Sequence, residues 1–327
     1  MNKLPLLLGA ALLLAGSAHA QLRTLSVAAP TGVGVAPTIG ATRGAAGAPA
    51  APDRPAVGST SPFNNDSYVQ QAGTGQMATV SQTGGGKNTA DIDQTSAAAG
   101  VGGNYASQKQ ESVSSNYNAP VDNQANIRQY GTGSTATQDQ RGVQNKALVQ
   151  QGSADHSTTA SNNYASQTQR GPQANTNGNT ANIQQNTTNS GSGNSATQTQ
   201  LSYGSNLASS QQGSDNTSEQ TQGPTGDSDH GTVSQTGNGN YAKQSQTGSR
   251  DRAEISQSGS SNQARQDQQG SDGDAKITQS TDGNFAEQLQ IGGASSHNYA
   301  ETTQYGNSSY SVETQTGSNN TVLVNQH

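Results

Sequence analysis

Residues 235–268 read QTGNGNYAKQSQTGSRDRAEISQSGSSNQARQDQ, and this stretch decides the fold. Gln235, Gln246, Gln257 and Gln268 stand eleven residues apart. The interval from Gln235 holds Gly237, Asn240 and Ala242; the interval from Gln257 holds Gly259, Asn262 and Ala264. Between the Asn slot and the next Gln, every second residue is Asn, Ala, Ile or Gln on one face, and Ser, Thr, Lys, Glu, Asp and Arg fall on the other, as in Ala253-Glu254-Ile255-Ser256-Gln257. Strict alternation over seven residues is the pattern of a strand with two unlike faces. The x-Gly-x-x that follows each Gln reads as a turn, with Gly tolerating positive φ.

The same phase extends outward in both directions. It continues through Gln279 and Gln290 and, after a longer step, through Gln304, Gln315 and Gln326. Upstream it appears at Gln71 and Gln82 and again at Gln129, Gln140 and Gln151, the interval from Gln140 holding Gly142, Asn145 and Ala147. Further members of the pattern are Asn284, Asn298 and Asn320 in the Asn slot and Gly248, Gly270 and Gly317 in the turn; Asp251 or Gly273 takes the Asn slot elsewhere. Two residues before each Gln, apolar side chains alternate with Gln: Val233, Gln244, Ile255, Gln266, Ile277, Gln288. The unit is therefore about twenty-two residues, two unequal halves, and roughly ten units fit. Insertions lengthen the loops at 95–103, 152–162 and 170–178.

Each unit predicts strand, turn, strand, turn. Neither strand buries its face alone, so units stack in register and enclose both inner faces between two parallel sheets. The expectation is an all-β chain: a parallel β-solenoid of about ten strand-turn-strand repeats, with cross-β stacking. Ala147, Ala242, Ile255, Ala264, Ile277 and Val324 are the expected inner apolar residues, and the Gln and Asn series above form amide ladders along the stack. At a rung spacing of about 4.8 Å, ten rungs give roughly 50 Å. The last repeat runs from Gln315 to Gln326 with no proline-rich stopper after it, so the expectation is an uncapped edge that templates a second copy.

Composition agrees with stacking and not with an ordinary core. The chain has 327 residues, 28% hydrophobic, with 40 Gly, two Phe, no Trp and no Cys. Too few large apolar residues remain for a globular interior. A formal net charge of −6 with 11% charged residues is too weak for charge-driven disorder, and no basic stripe offers to neutralise phosphates. Disulfides and thiolate metal sites are excluded by the absence of cysteine.

Residues 1–20 read as a secretory signal peptide: Lys3, an apolar run from Leu4 to Leu14, and Ala18-His19-Ala20 as the cleavage site. The apolar run is too short to span a bilayer, and no membrane insertion is expected. Residues 21–66, rich in Ala, Gly and Pro, read as a flexible leader, or as a recognition segment for export; residues 67–327 form the repeat array.

The repeated Gln-x-Gly-x-x-Asn-x-Ala-x-x-x-Gln resembles the curlin repeat of curli fibre subunits, over about Ser67 to Gln326. The resemblance implies secretion through an outer-membrane channel of a Gram-negative bacterium, with a nucleator and chaperones as partners. It also implies homopolymeric amyloid fibres on the cell surface, and roles in biofilm and adhesion. The array is about twice as long as a typical curlin, which suits a bulk subunit. Its Ala-x-Ile-x-Gln halves also resemble the minor, nucleating subunit.

Other chemistry is absent from the pattern. Asp91, Asp93, Asp139, Glu254 and Glu287 fall in outward slots and form no acid–base pair. His156, His230, His297 and His327 lack metal-ligand spacing, and residues 271–274 lack that of a calcium loop. No catalytic constellation and no cofactor motif is found, so the expectation is a non-enzyme. Tyr105, Tyr164, Tyr241 and Tyr299 each follow Asn and precede Ala, as candidates for an exposed aromatic stripe or for ordinary strand preference. A monomeric binding solenoid for ice or glycan is the rival; its flat, uniform outer face is not matched by outward slots that vary among Ser, Thr, Lys, Glu and Arg.

Overall fold

The computed structural model describes residues 65–84, 88–96, 103–112, 123–153, 160–171, 178–224, 227–293 and 297–327. The expected signal peptide, nearly all of the expected leader, and His156 lie outside the described residues.

Two parallel sheets account for the structure, and no helix occurs among the described residues. The chain alternates between them, one strand in each. The first sheet has 13 strands. Its main path runs Asp66–Ala72, Thr89–Thr95, Gln124–Thr132, Lys146–Gln151, Thr180–Gln185, Asn206–Ser214, His230–Asn238, Arg252–Ser258, Asp274–Ser280, Tyr299–Gln304 and Thr321–Gln326. Two short strands, Ala160–Ser161 and Gly191–Ser192, extend beside it. The second sheet has 10 strands: Met77–Thr83, Tyr105–Glu111, Thr135–Arg141, Tyr164–Arg170, Ser195–Gln200, Thr217–Gln222, Tyr241–Ser249, Gln263–Ser271, Phe285–Ile291 and Tyr310–Thr316. This is a parallel β-solenoid, the architecture that the repeat spacing predicts.

Register follows the motif. Ala253 pairs with Ala275, Ile255 with Ile277 and Gln257 with Gln279. A slip of one residue would turn the whole apolar set outward, which is why the spacing is kept. The long insertions leave the register of the main strands intact: Ile92 still pairs with Ile127 and Ala106 with Ala136.

The core is thin and two-sided. Ile92, Ile127, Val149 and Ile183 of the first sheet meet Ala106, Ala136, Ala165 and Ala196 of the second; a separate cluster joins Val233, Ile255 and Ile277 to Ala242, Ala264 and Ala286. Small Ala on one side lets the large residue of the other fill the gap. Burying each Ile contributes roughly 1.5–3 kcal/mol.

The two clusters are separated by a rung with a different solution. Leu207 occupies the slot that is Ala in most other rungs and is 1% exposed. Its neighbours are correspondingly small: Ser209 replaces the Ile of its own strand, Ser218 replaces the Ala of the facing sheet, and Gly231 replaces the Ala of the next rung. The volume is moved within the rung and not lost.

The turns differ in part from the sequence reading. Gly142, Gly237, Gly259, Gly270 and Gly317 do take positive φ, between 102° and 141°. Gly248 does not; it is required for a different reason, because a Cβ there would overlap the Gly270 carbonyl of the next rung. A second left-handed position, absent from the sequence reading, directly precedes the Asn slot. Gly239, Arg250, Ser261, Asp272 and Gly283 hold it in successive half-rungs, with φ of 64°, 60°, 60°, 61° and 69°.

Candidate functional site: the glutamine and asparagine ladders

The inner Gln side chains are stacked one above another, and most use both hydrogens of the amide. One is donated along the stack. Gln235 Nε2 donates to Gln257 Oε1 (2.9 Å), Gln257 to Gln279 (2.8 Å), Gln279 to Gln304 (2.8 Å) and Gln304 to Gln326 (2.8 Å). The other crosses to the facing sheet: Gln257 Nε2 donates to the Tyr241 carbonyl (3.0 Å) and Gln279 Nε2 to the Gln263 carbonyl (3.0 Å). A single side chain therefore ties a rung to its successor and one sheet to the other. A buried amide left unpaired would cost about 1–3 kcal/mol, so in-register stacking is what makes this interior tolerable.

Three such columns run through the described residues. The first joins Gln71, Gln94, Gln129, Gln151, Gln185, Gln211 and Gln235 and continues as above. The second joins Gln82, Gln110, Gln140, Gln169, Gln200, Gln222, Gln246, Gln268, Gln290 and Gln315. The third lies deeper in the second sheet, from Gln108 through Gln138, Gln167, Gln198, Gln220, Gln244 and Gln266 to Gln288. In every one of these bonds Nε2 of the earlier rung donates to Oε1 of the later one. Glu313 ends the third column as an acceptor for Thr302, Ser311 and Gln288, and burial raises its carboxyl above the usual range.

The Asn slot closes the turns. Asn262 N–H donates to Asn240 Oδ1 (3.0 Å) and Asn284 N–H to Asn262 Oδ1 (2.9 Å). Asn320 N–H reaches Asn298 Oδ1 (3.1 Å), and Asn145 Oδ1 accepts from Asn179 N–H (3.1 Å). The Nδ2 of Asn240 and Asn298 donate to the turn carbonyls of Gly259 and Gly317, each at 2.9 Å. Ala147, Ala242, Ile255, Ala264 and Ile277 are buried, and Val324 is half-buried on the outermost strand.

The tyrosines lie on the outer faces but not in one line. Tyr105, Tyr164 and Tyr241 share a column of the second sheet with Thr135, Ser195 and Thr217 between them, whereas Tyr299 is on the first sheet. Tyr241 and Tyr299 donate to Glu219 (3.3 Å) and Glu301 (2.7 Å). Outward charges pair across rungs, as in Lys243–Glu219 (3.4 Å) and Arg265–Glu287 (3.2 Å), at exposed positions where each pair contributes at most about 1 kcal/mol.

The eleven-residue series counted from the sequence leaves out Gln94, Gln110, Gln169, Gln185, Gln200, Gln211 and Gln222: insertions shift most of them out of phase, while Gln200, Gln211 and Gln222 stand eleven apart as a run of their own, thirteen residues before Gln235 at its end. The local Ala-x-x-x-Gln spacing, present at Ala90 and Gln94 and at Ala181 and Gln185, is the signal that finds five of them; Gln211 and Gln222 follow Leu207 and Ser218 instead of Ala.

Comparison with known families and proteins agrees with this geometry where it reports a match. The family model of the curlin associated repeat matches residues 248–280. That segment holds the strands Arg252–Ser258, Gln263–Ser271 and Asp274–Ser280, so the resemblance to the curlin family stands on a matched model as well as on spacing. No curated protein matches the chain. The repeat family and the solenoid are structural rather than enzymatic, and no helix among the described residues is long and apolar enough to cross a membrane.

Proposed function

We propose that this protein is a structural subunit of extracellular curli-type amyloid fibres, growing by stacking of one solenoid on the next. The observation that carries the reading is the pair of open sheet edges. Among the described residues, Asp66–Ala72 and Thr321–Gln326 pair on one side only, as do Met77–Thr83 and Tyr310–Thr316. Asp66 apart, the outward backbone groups of these strands have no partner strand among the described residues, and an unblocked edge is a template for another strand. The exposed Leu323, Val312 and Tyr310 lie at one of these ends. The curlin repeat at 248–280 supports the same assignment at the level of the family.

On this reading the chain is its own principal partner. Secretion through a curli export channel, a nucleator, chaperones, and roles in biofilm and adhesion are further parts of the proposal, resting on the resemblance. A bulk subunit is favoured over a nucleator by the length of the array.

The test is dilution of the denatured chain into buffer, with thioflavin T followed over time, with and without preformed seeds. A lag abolished by seeds, with a reflection at about 4.7–4.8 Å in the product, supports templated growth. A β-rich monomer that does not grow at high concentration overturns it.

A further inference from the structure

The Asn column of the first sheet is interrupted by two acids. Along the rungs it runs Asn145, Asn179, Ser205, Asp229, Asp251, Gly273, Asn298 and Asn320. Asp229 is 0% exposed and Asp251 1%. One oxygen of each does what an Asn oxygen does elsewhere: Asp229 Oδ1 accepts from Asp251 N–H (3.0 Å) and Asp251 Oδ1 from Gly273 N–H (2.8 Å). The other oxygens, Asp229 Oδ2 and Asp251 Oδ2, are buried without a hydrogen-bond partner among the described residues.

In the regular rungs of this sheet the second atom is an amide nitrogen. Asn123 Nδ2 donates to the Gly142 carbonyl (3.0 Å) and Asn298 Nδ2 to the Gly317 carbonyl (2.9 Å), in both cases nineteen residues on. Nineteen residues on from Asp229 and Asp251 stand Gly248 and Gly270, the same turn glycines. An ionised carboxylate therefore sets oxygen toward carbonyl oxygen at two successive rungs. A protonated carboxyl has the shape of the Asn side chain and restores the missing donor.

The surroundings do not neutralise these acids. Asp227 and Asp272 lie nearby and add negative charge; His230 is exposed, and Arg250, whose charge works against Asp251, is already held by Asp272 through bonds of 2.7 and 2.8 Å. Beside Asp251 the facing sheet brings the neutral amides of Gln268 and Gln290, and no other charged side chain lines the cavity there. The cavity beside Asp251 measures about 10 Å³, at the threshold for one water and too small for a hydrated cation.

We propose that Asp229 and Asp251 form a proton-binding site built into the Asn ladder. Each holds a proton on Oδ2 and donates it to the turn carbonyl of the next rung, so that these rungs close in mild acid and loosen as the pH rises past neutrality. Burial agrees with this, lifting Asp229 to about 6 and Asp251 to about 7 against the pull of the backbone donors. Because the folded values lie above the ordinary carboxylate value of about 4, the contribution is complete below that value. It is lost as the pH rises through about 6 to about 7. The site belongs to the folded array and is read on its unfolding, whether or not the array grows into fibres.

The experiment compares the full chain with the double variant Asp229→Asn/Asp251→Asn. Denaturant midpoints are followed by circular dichroism from about pH 5 to about pH 8, together with the infrared stretch of protonated carboxyls. The wild type should lose about tenfold in its folded-to-unfolded ratio per pH unit for each acid titrating. The double variant should lose most of this slope, keeping only the share of the other carboxyls that burial raises, Glu313 and Asp274, and its buried carboxylic-acid band should weaken accordingly. A flat wild-type profile overturns the proposal, as does a double variant that keeps the full slope, which would move the effect to the other carboxyls raised by burial, Glu313 and Asp274. Recovery of wild-type stability at about pH 8 on adding calcium or sodium also overturns it, because the site would then take a metal ion and not a proton. Should the double variant fail to fold, the single variants Asp229→Asn and Asp251→Asn carry the comparison: each should lose part of the slope and part of the band, and an unchanged band in both overturns the proposal.

Discussion

Gly231 lies directly beside Leu207 on the neighbouring strand, and a Cβ built on it would come 2.6 Å from Leu207 Cδ2. The two positions are one fitted pair within a column that is otherwise mostly Ala.

Gly231→Ala should destabilise the array by about 1–3 kcal/mol through overpacking. Leu207→Ala alone should cost about 2–5 kcal/mol, because Ser209 and Ser218 cannot fill the space. Combined, the two changes should cost less than their sum, since Ala beside Ala is the arrangement of the regular rungs. Urea unfolding of the four species measures the coupling; strict additivity would show that the pair is not fitted.

Gln257→Leu keeps volume but removes three partners at once. Gln235 Nε2 loses its acceptor, while Gln279 Oε1 and the Tyr241 carbonyl lose their donor. Two or more buried groups left unpaired at about 1–3 kcal/mol each should make this costlier than a Leu substitution at an exposed site. Unfolding midpoints of Gln257→Leu and Thr247→Leu provide the comparison, and equal midpoints would deny the ladder its role.

Ser261 holds φ at 60°, a conformation that costs a non-Gly residue about 1–2 kcal/mol. Ser261→Gly relieves that cost and gives back part of it in chain entropy, for a net gain of up to about 1 kcal/mol. Ser261→Val should lose stability, because a β-branched residue resists this φ. Thermal unfolding of both variants checks the pair of signs.

Glu313 stands where the third column would carry another Gln, and burial raises its carboxyl. A folded value above the unfolded one means that protonation favours folding, so this share of stability declines as the pH rises through the folded value. Glu313→Gln should remove that decline and raise stability at neutral pH. Midpoints at about pH 5 and about pH 8 would show the wild-type difference shrinking in the variant; an unchanged difference refutes the assignment to Glu313.

The fold was legible because two periods coincide in the sequence. Alternation at two marks each strand, and the return of Gln at eleven marks each half-rung, and both arise from the same requirement that amides meet their equivalents. Where insertions intervene, as between Gln94 and Gln129, the count fails although the pairing Ile92–Ile127 is kept. The left-handed residue before the Asn slot left no signature, since Gly, Arg, Ser, Asp, Gln and Asn all fill it. The exchange around Leu207 was hidden for another reason. Its compensating residues are 2, 11 and 24 positions away and become neighbours only once the rungs are stacked. Asp251 could be seen to replace Asn, but that it is stacked with Asp229 in a buried column required the register.

Because every glutamine inside the three columns gives a hydrogen to the following rung and takes one from the preceding rung, the array is an arrow. Its leading face offers hydrogens and its trailing face offers oxygens, so the two cannot be exchanged. A second molecule arriving upside down would meet oxygen with oxygen. A short peptide copying one half-repeat could therefore plug one end and be refused by the other, which makes separate stoppers for the two ends a chemical possibility written into the direction of a side chain.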